Sequence, residues 1–326
     1  MKNILLLLSI ILLSFSVNAQ KPYLKLIVSQ DGNGDFASIQ EAINSTRDLG
    51  PGEVEIFIKN GIYKEKIEIP SWKHQLTLIG EDNEKTIIQN SDYSGMIDPV
   101  TKKELSTFTS FTLLIQGDDI HLENLTIQNT WCDKGQAVAL HVEGDRFIAE
   151  NCRLLGCQDT LYTATEGSRQ YYKSCYIEGT TDFIFGEATV VFEDCTIKSL
   201  ANSYVTAAAT PENQEFGYVF FNAELIAADN VDHVYLGRPW RPYAQTVFIN
   251  STLGNHIVAD GWDPWTGDKM FPEKEKTTYY AEYNSKGAGA SPKKRVKWSH
   301  QLTETEIEKY TVNSIFSAES DPWNPK

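Results

Sequence analysis

The chain is short of positive charge. Its 29 Lys and Arg stand against 44 Asp and Glu, a net −15 over 326 residues, which argues against nucleic acid or an anionic membrane surface as a partner. Long hydrophobic runs are missing after residue 19, so no later segment is a membrane span. The six histidines are scattered and no pair has metal-ligand spacing. Cysteines number five; the odd count leaves one unpaired. The one long apolar run, Ile4 to Val17, follows Lys2 and ends at Val17-Asn18-Ala19, the pattern of a secretory signal peptide. Residues 1–19 are therefore expected to be removed and 20–326 to form one domain, exported to the periplasm or medium. No cysteine follows the cleavage site directly, which speaks against a lipid anchor.

A repeat is present. HLENLTI (121–127), IAENCRL (148–154), YYKSCYI (171–177), VFEDCTI (191–197), VFFNAEL (219–225) and VFINSTL (247–253) share strand residues, a small polar residue, a small or apolar one, and a closing aliphatic. The central positions are Leu125, Cys152, Cys175, Cys195, Ala223 and Ser251, spaced 20 to 28 residues apart. A leucine comb is lacking, which excludes leucine-rich repeats. The gaps carry no helical periodicity and are too short for crossover helices, which excludes a βαβ array. What remains is an all-β solenoid, a single-stranded parallel β-helix whose coils stack about 4.8 Å apart. DFASIQEAI (35–43) reads as a short helix with a capping box from Ser38 to Glu41 and one apolar face, suited to closing the first coil. LTETEIEKY (302–310) reads as a second short helix, on a C-terminal tail packed along the outside.

Within GTTDFIFG (179–186), period-two alternation puts Phe183 and Phe185 on one face and Asp182 with Ile184 on the other. Asp182 lies seven residues after Cys175, and Asp159 seven after Cys152. The two carboxylates thus occupy the same place on consecutive coils. At that separation both cannot ionise cheaply, so one pKa should rise, giving an acid and a nucleophile from one residue type. Gln136 lies another 23 residues before Asp159, just after an insertion around Trp131. Gln136 and Gln158 could each donate an amide N–H to a developing oxyanion. RPW (238–240) supplies a guanidinium able to hold one aspartate ionised and an indole face for a sugar ring. The bland alternative is a solvated aspartate ladder or a calcium site.

The motifs GDFASIQEAI (34–43), GIYKE (61–65), QAVAL (136–140), CQDTLY (157–162), GTTDFIFG (179–186), LGRPW (236–240) and TTYYAEY (277–283), in this order, with SDPWNP (320–325) in the tail, resemble those of pectin methylesterases. The resemblance implies a right-handed parallel β-helix and hydrolysis of the methyl esters of pectin. It implies Asp182 as the nucleophile, Asp159 as the acid that protonates methanol and then activates water, and Gln136 and Gln158 as the oxyanion hole. Arg238 would hydrogen-bond Asp182, and Trp240, Tyr162 and Phe185 would line the groove. No metal or organic cofactor is implied. The implied partner is methyl-esterified polygalacturonate, with no nucleic acid and no membrane anchor, and the protein is expected to be a monomer. Rival readings on the same fold are an esterase for a different ester, a pectate lyase or a polygalacturonase. QGDDI (116–120) is the only fragment favouring the last, and it reads more simply as a turn between coils.

Thr181 stands where the family often has valine. Trp262 and Trp265 are read as packing a loop against the coil rather than rimming a cleft. Cys152, Cys175 and Cys195 share a ladder position, which suits either a stacked disulfide or three small buried side chains; the resemblance favours Cys175 with Cys195. The short basic run KKR (293–295) is read as solvated.

Overall fold

A computed structural model describes residues 24–317 and 321–326; the expected signal peptide lies outside the described residues. Three all-parallel sheets of eleven, eight and seven strands run the length of the chain. Each coil visits them in turn, as in Phe147–Glu150, Arg153–Leu155 and Leu161–Thr163, before Arg169–Lys173 opens the next. This is a right-handed parallel β-helix, as expected.

The corner between the first two strands of a coil explains the repeat. Asn124, Asn151, Ser174, Asp194, Asn222, Asn250 and Asn284 all have φ between 52° and 55°. Asn and Asp tolerate this left-handed conformation because their short polar side chains bond locally. The bend points the following residue, Leu125, Cys152, Cys175, Cys195, Ala223 or Ser251, into the interior, where each is at most 1% exposed. The corner amides also join rung to rung: Asn151 Nδ2 donates to Asn124 Oδ1 at 2.6 Å and Asn222 Nδ2 to Asp194 Oδ1 at 3.0 Å. Inside, Tyr172, Phe192, Phe220 and Phe248 stack on successive coils with ring centroids 4.3–5.0 Å apart.

Cys175 and Cys195 are not bonded to each other. Cys152, Cys175 and Cys195 are free and buried, and their Sγ atoms donate to the carbonyls of Leu122, Ala149 and Tyr172. They fill the interior as small apolar groups, the other reading of the ladder. The disulfide is Cys132–Cys157. Non-reducing peptide mapping should therefore recover one linked pair containing Cys132 and Cys157. Alkylation of the unfolded, unreduced protein should label Cys152, Cys175 and Cys195; a Cys175–Cys195 peptide would contradict this.

Helix α1 (Ile39–Ser45) buries Ile39, Ala42 and Ile43 completely over the first coil. Ser38 accepts from the Glu41 amide as expected. The reciprocal carboxylate, however, comes from Glu65 of GIYKE, which accepts from Ser38 Oγ and the amides of Ile39 and Gln40 at 2.7–3.0 Å. That negative charge sits where the helix dipole favours it. Helix α2 (Glu304–Ile307) starts with a Thr303–Glu306 capping box. An unexpected helix α3 (Val312–Phe316) follows, and Ile315 and Phe316 pack with Tyr171, Val191 and Val247 on the outside of the eleven-stranded sheet. In KKR, Arg295 is not solvated: it is 8% exposed and paired with Glu282 at 2.6 Å.

Candidate active site

The site lies on the outer face of the seven-stranded sheet. In that sheet His141, Tyr162, Phe185 and Ala207 stand in register on consecutive strands. Tyr162 stacks on Phe185 with centroids 4.6 Å apart, and the His141 ring packs against Tyr162 at 4.5 Å, tilted by 43°. The result is an aromatic floor.

Asp159 and Asp182 sit two residues before paired positions Leu161 and Ile184, so they occupy equivalent places on adjacent coils, about 4.8 Å apart at the backbone. Both adopt positive φ, 66° and 49°. Their amides are tied to the next coils, Asp159 N to Thr181 O at 3.1 Å and Asp182 N to Tyr204 O at 2.9 Å. The left-handed bend at Asp182 also resets the alternation of GTTDFIFG. The strand is only Ile184–Gly186; Phe183 and Ile184 both enter the interior, while Phe185 faces the pocket with Asp182. The expected pairing of Phe183 with Phe185 is thus incorrect, because strict alternation requires extended backbone throughout. Thr181, in the place of valine, shares a hydrogen bond with Ser203 Oγ at 2.8 Å.

Arg238 follows the strand Tyr235–Gly237 and grips Asp182 with two parallel bonds, Nε to Oδ1 at 2.9 Å and Nη2 to Oδ2 at 2.6 Å. Its guanidinium lies 3.9 Å from the Tyr204 ring centroid and 3.6 Å from that of Trp265. Glycine is required before it: a Cβ on Gly237 would lie 2.0 Å from Thr206 Oγ1. Trp265 is itself held by a loop built around Lys274, whose ammonium is buried, bonds Asp268 at 2.7 Å and the Trp240 carbonyl at 3.3 Å, and lies over the Trp265 ring.

Gln136, Gln158, Asp159, Asp182, Phe185, Arg238 and Trp240 line one open pocket. Tyr162 lines the adjoining hollow with Phe108, His141 and Glu187. Gln136 arrives two residues out of the expected register, since Leu140 pairs with Leu161. Its neighbour Ala137 donates to the Gln158 carbonyl at 3.1 Å, which sets the two glutamines side by side. Thr107, Phe108 and Trp265 complete the wall and were not foreseen. Phe108 belongs to an insertion with no repeat signature. For Trp265 the signal was present but assigned to packing; that reading holds for Trp262, which is 1% exposed and packed at a tilt against Tyr280.

Burial raises both carboxyls, and the charge environment separates them. Asp159 lies well above the ordinary carboxylate range, pushed first by burial and then by the Asp182 charge. Asp182 is also raised by burial, but the Arg238 hydrogen bonds and charge pull it back down. Over the interval between them, Asp182 is a carboxylate and Asp159 an acid. A reaction needing that pair should have a bell-shaped pH profile, with the acid limb set by Asp182 and the alkaline limb by Asp159. Arg238→Gln removes a cation that favours both ionised forms, so both limbs should move to higher pH and the maximum should fall. Initial rates across pH for the two proteins test this; limbs unmoved by the substitution would show that Arg238 does not set these ionisations.

The model of the pectinesterase family matches residues 25–319. A probable pectinesterase/pectinesterase inhibitor 13 of Arabidopsis thaliana is 35% identical over 318 residues, covering 93% of this chain and 50% of the relative. Pectinesterase 31 of the same plant is 34% identical over 302 residues, covering 91% of this chain and 93% of the relative. The chain thus spans half the length of the first and nearly all of the second. Among solved structures, the pectin methylesterase from carrot superposes with a TM-score of 0.81 at 34% identity, covering 89% of this chain and 92% of that one.

Proposed function

The chain belongs to the pectinesterase family, and from that premise we propose that it hydrolyses the methyl esters of pectin homogalacturonan, releasing methanol and leaving free galacturonate. The observation that carries this reading is the asymmetry of two neighbouring carboxyls: Arg238 clamps Asp182 alone, while Asp159 is buried beside it.

In the first step a lone pair of the Asp182 carboxylate attacks the ester carbonyl carbon. The electrons displaced onto oxygen are met by the side-chain amides of Gln136 and Gln158, donors fixed before charge develops. The tetrahedral species collapses, the carbon–methoxide bond breaks, and Asp159 gives its proton to the leaving oxygen, forming methanol. An anhydride now joins Asp182 to the substrate acyl group. Asp159, now ionised, takes a proton from water as the water oxygen attacks the same carbon. Collapse returns Asp182 as a carboxylate beside Arg238 and releases the free acid, which ionises in solvent. Each residue begins the next cycle in its original state.

The stacked face of Tyr162 and Phe185, with the Trp240 ring T-shaped to Phe185 at a centroid distance of 5.7 Å, suits sugar rings passing along the groove. We infer a polysaccharide chain as substrate for this reason: the floor extends past the reacting pocket into the next hollow. The protein is proposed to act outside the cytoplasm as a monomer, without a membrane anchor; no described helix is long and apolar enough to cross a membrane. The deciding experiment is methanol release from highly methylated pectin, with chain length followed in parallel. Methanol with unchanged chain length is expected. Chain shortening, or a folded protein that releases only acetate from acetylated substrates, would refute the assignment.

A further inference from the structure

We propose that the Cys132–Cys157 disulfide is a positioning element for the oxyanion donors, so that the bridge tunes turnover and not only stability. The inference rests on the reading of Gln136 and Gln158 given above. Cys157 immediately precedes Gln158, and Cys132 lies four residues before Gln136. The bridge therefore joins, at a Cα separation of 5.3 Å, the two segments that carry the two amides. The strand side needs no help: Asp159, Leu161 and their neighbours are hydrogen-bonded rung to rung. The Gln136 side differs. Residues 130–136 belong to no strand, and Gly135 bends with φ 96° just before Gln136.

Apart from the disulfide, few fastenings hold this segment. The Trp131 ring stacks on Tyr93 at 3.7 Å, the Trp131 amide donates to Asn129 Oδ1 at 3.0 Å and Trp131 Nε1 to the Lys134 carbonyl at 3.2 Å, Thr130 N donates to the Asn90 carbonyl at 2.9 Å, and the Gln136 carbonyl accepts from the Ser94 amide at 2.9 Å. The segment meets the coil that bears Gln158 and Asp159 through one hydrogen bond at its end, Ala137 N to the Gln158 carbonyl at 3.1 Å. The disulfide ties its middle to that coil covalently. An oxyanion donor must lie within a few tenths of an ångström of its target, so a small drift of Gln136 is felt in the transition state. It is felt much less in binding, because the aromatic floor is built on other strands.

Cys132 is exposed, whereas the three free thiols are at most 1% exposed. A small dithiol can therefore reduce this bridge in the folded protein, each reduction consuming one dithiol and yielding two protein thiols and one cyclic disulfide. The probe is dithiothreitol on the wild type, alongside the double variant Cys132→Ser/Cys157→Ser. We expect kcat on methylated pectin to fall about 10-fold with KM nearly unchanged, short of the ~10²-fold loss from deleting an oxyanion donor. In a Gln136→Ala background, breaking the bridge should lower kcat no further, because the group it positions is gone.

Unchanged kcat with only a lower melting temperature would overturn the proposal and leave the bridge a purely stabilising link. An equal further loss in the Gln136→Ala background would overturn it too, by showing that the bridge acts elsewhere. If Gln136→Ala alone leaves kcat intact, the oxyanion reading itself fails, a separate result. Should the double variant not fold, the reduced wild type, with its thiols counted at the assay temperature, decides between the same outcomes.

Discussion

Asp182→Asn is expected to lower kcat for methyl-ester hydrolysis by at least about 10³-fold, the scale seen when a covalent nucleophile is removed from a site whose other parts remain. A carboxamide has nearly the shape of a carboxylate and leaves the coil corner intact. It cannot supply the lone pair that forms the anhydride, and its nitrogen must turn away from the Arg238 fork. One of the two bonds to Arg238 is thus lost. Burst measurements sharpen the test: the variant should release no stoichiometric methanol in the first turnover. Circular dichroism and a melting curve establish that the protein is folded. Turnover by a folded Asp182→Asn within 10-fold of wild type would remove Asp182 from the nucleophile's role, leaving Asp159 as the next candidate.

The second large effect is on stability. Arg295 and Glu282 are each 2% exposed at the side chain, with bonds of 2.6 and 3.2 Å between them. The guanidinium also donates to the carbonyls of Val258, Ala259 and Gly289 at 2.9–3.1 Å. Glu282→Leu leaves this cation buried without its counter-charge, a loss of about 3–5 kcal/mol. Arg295→Met should cost a comparable amount by stranding the carboxylate. The double change Glu282→Leu/Arg295→Met should recover most of the loss, because an apolar pair incurs no desolvation cost. Urea midpoints for the four proteins test the cycle; additive losses in the double variant would show that the two groups do not act as a pair. The damage should reach the site. Leu236 N bonds the Gly261 carbonyl at 2.7 Å, so the loop fastened by Arg295 supports the strand that ends at Arg238.

How much of this was legible in the sequence follows from what repeats. The coil corners recur at every turn, so Asn151, Ser174 and Asp194 announced the β-helix, and the offset from corner to carboxyl placed Asp159 beside Asp182. Arg238 was legible through a motif whose glycine has a packing cause. Features made once were hidden. The Cys132–Cys157 bridge joins an insertion to a coil, and neither end lies on the ladder that drew attention to Cys175 and Cys195. Gln136 slipped register because the turn between Leu140 and Phe147 is two residues shorter than the one between Leu161 and Gln170 on the next coil. Phe183 and Phe185 separated because one left-handed residue cancels a period of two. Arg295 looked like part of a charged tail segment because its partner Glu282 lies on the preceding strand. Phe108 and Trp265 reach the pocket from loops whose course no periodicity dictates.

The rung-to-rung pairing of the seven-stranded sheet has one more consequence. Leu161, Tyr162 and Thr163 are matched to Ile184, Phe185 and Gly186 irrespective of the chain between them. The separation of Asp159 from Asp182 is therefore a lattice constant of the solenoid, independent of loop length. Thr165 and Glu166, in the turn between the two rungs, are both exposed to solvent. Extra residues there would lengthen the path along the chain by any amount at a small closure cost and leave the two carboxyls where they are. Such a framework can gain and lose loops that reshape the groove while the two carboxyls stay fixed.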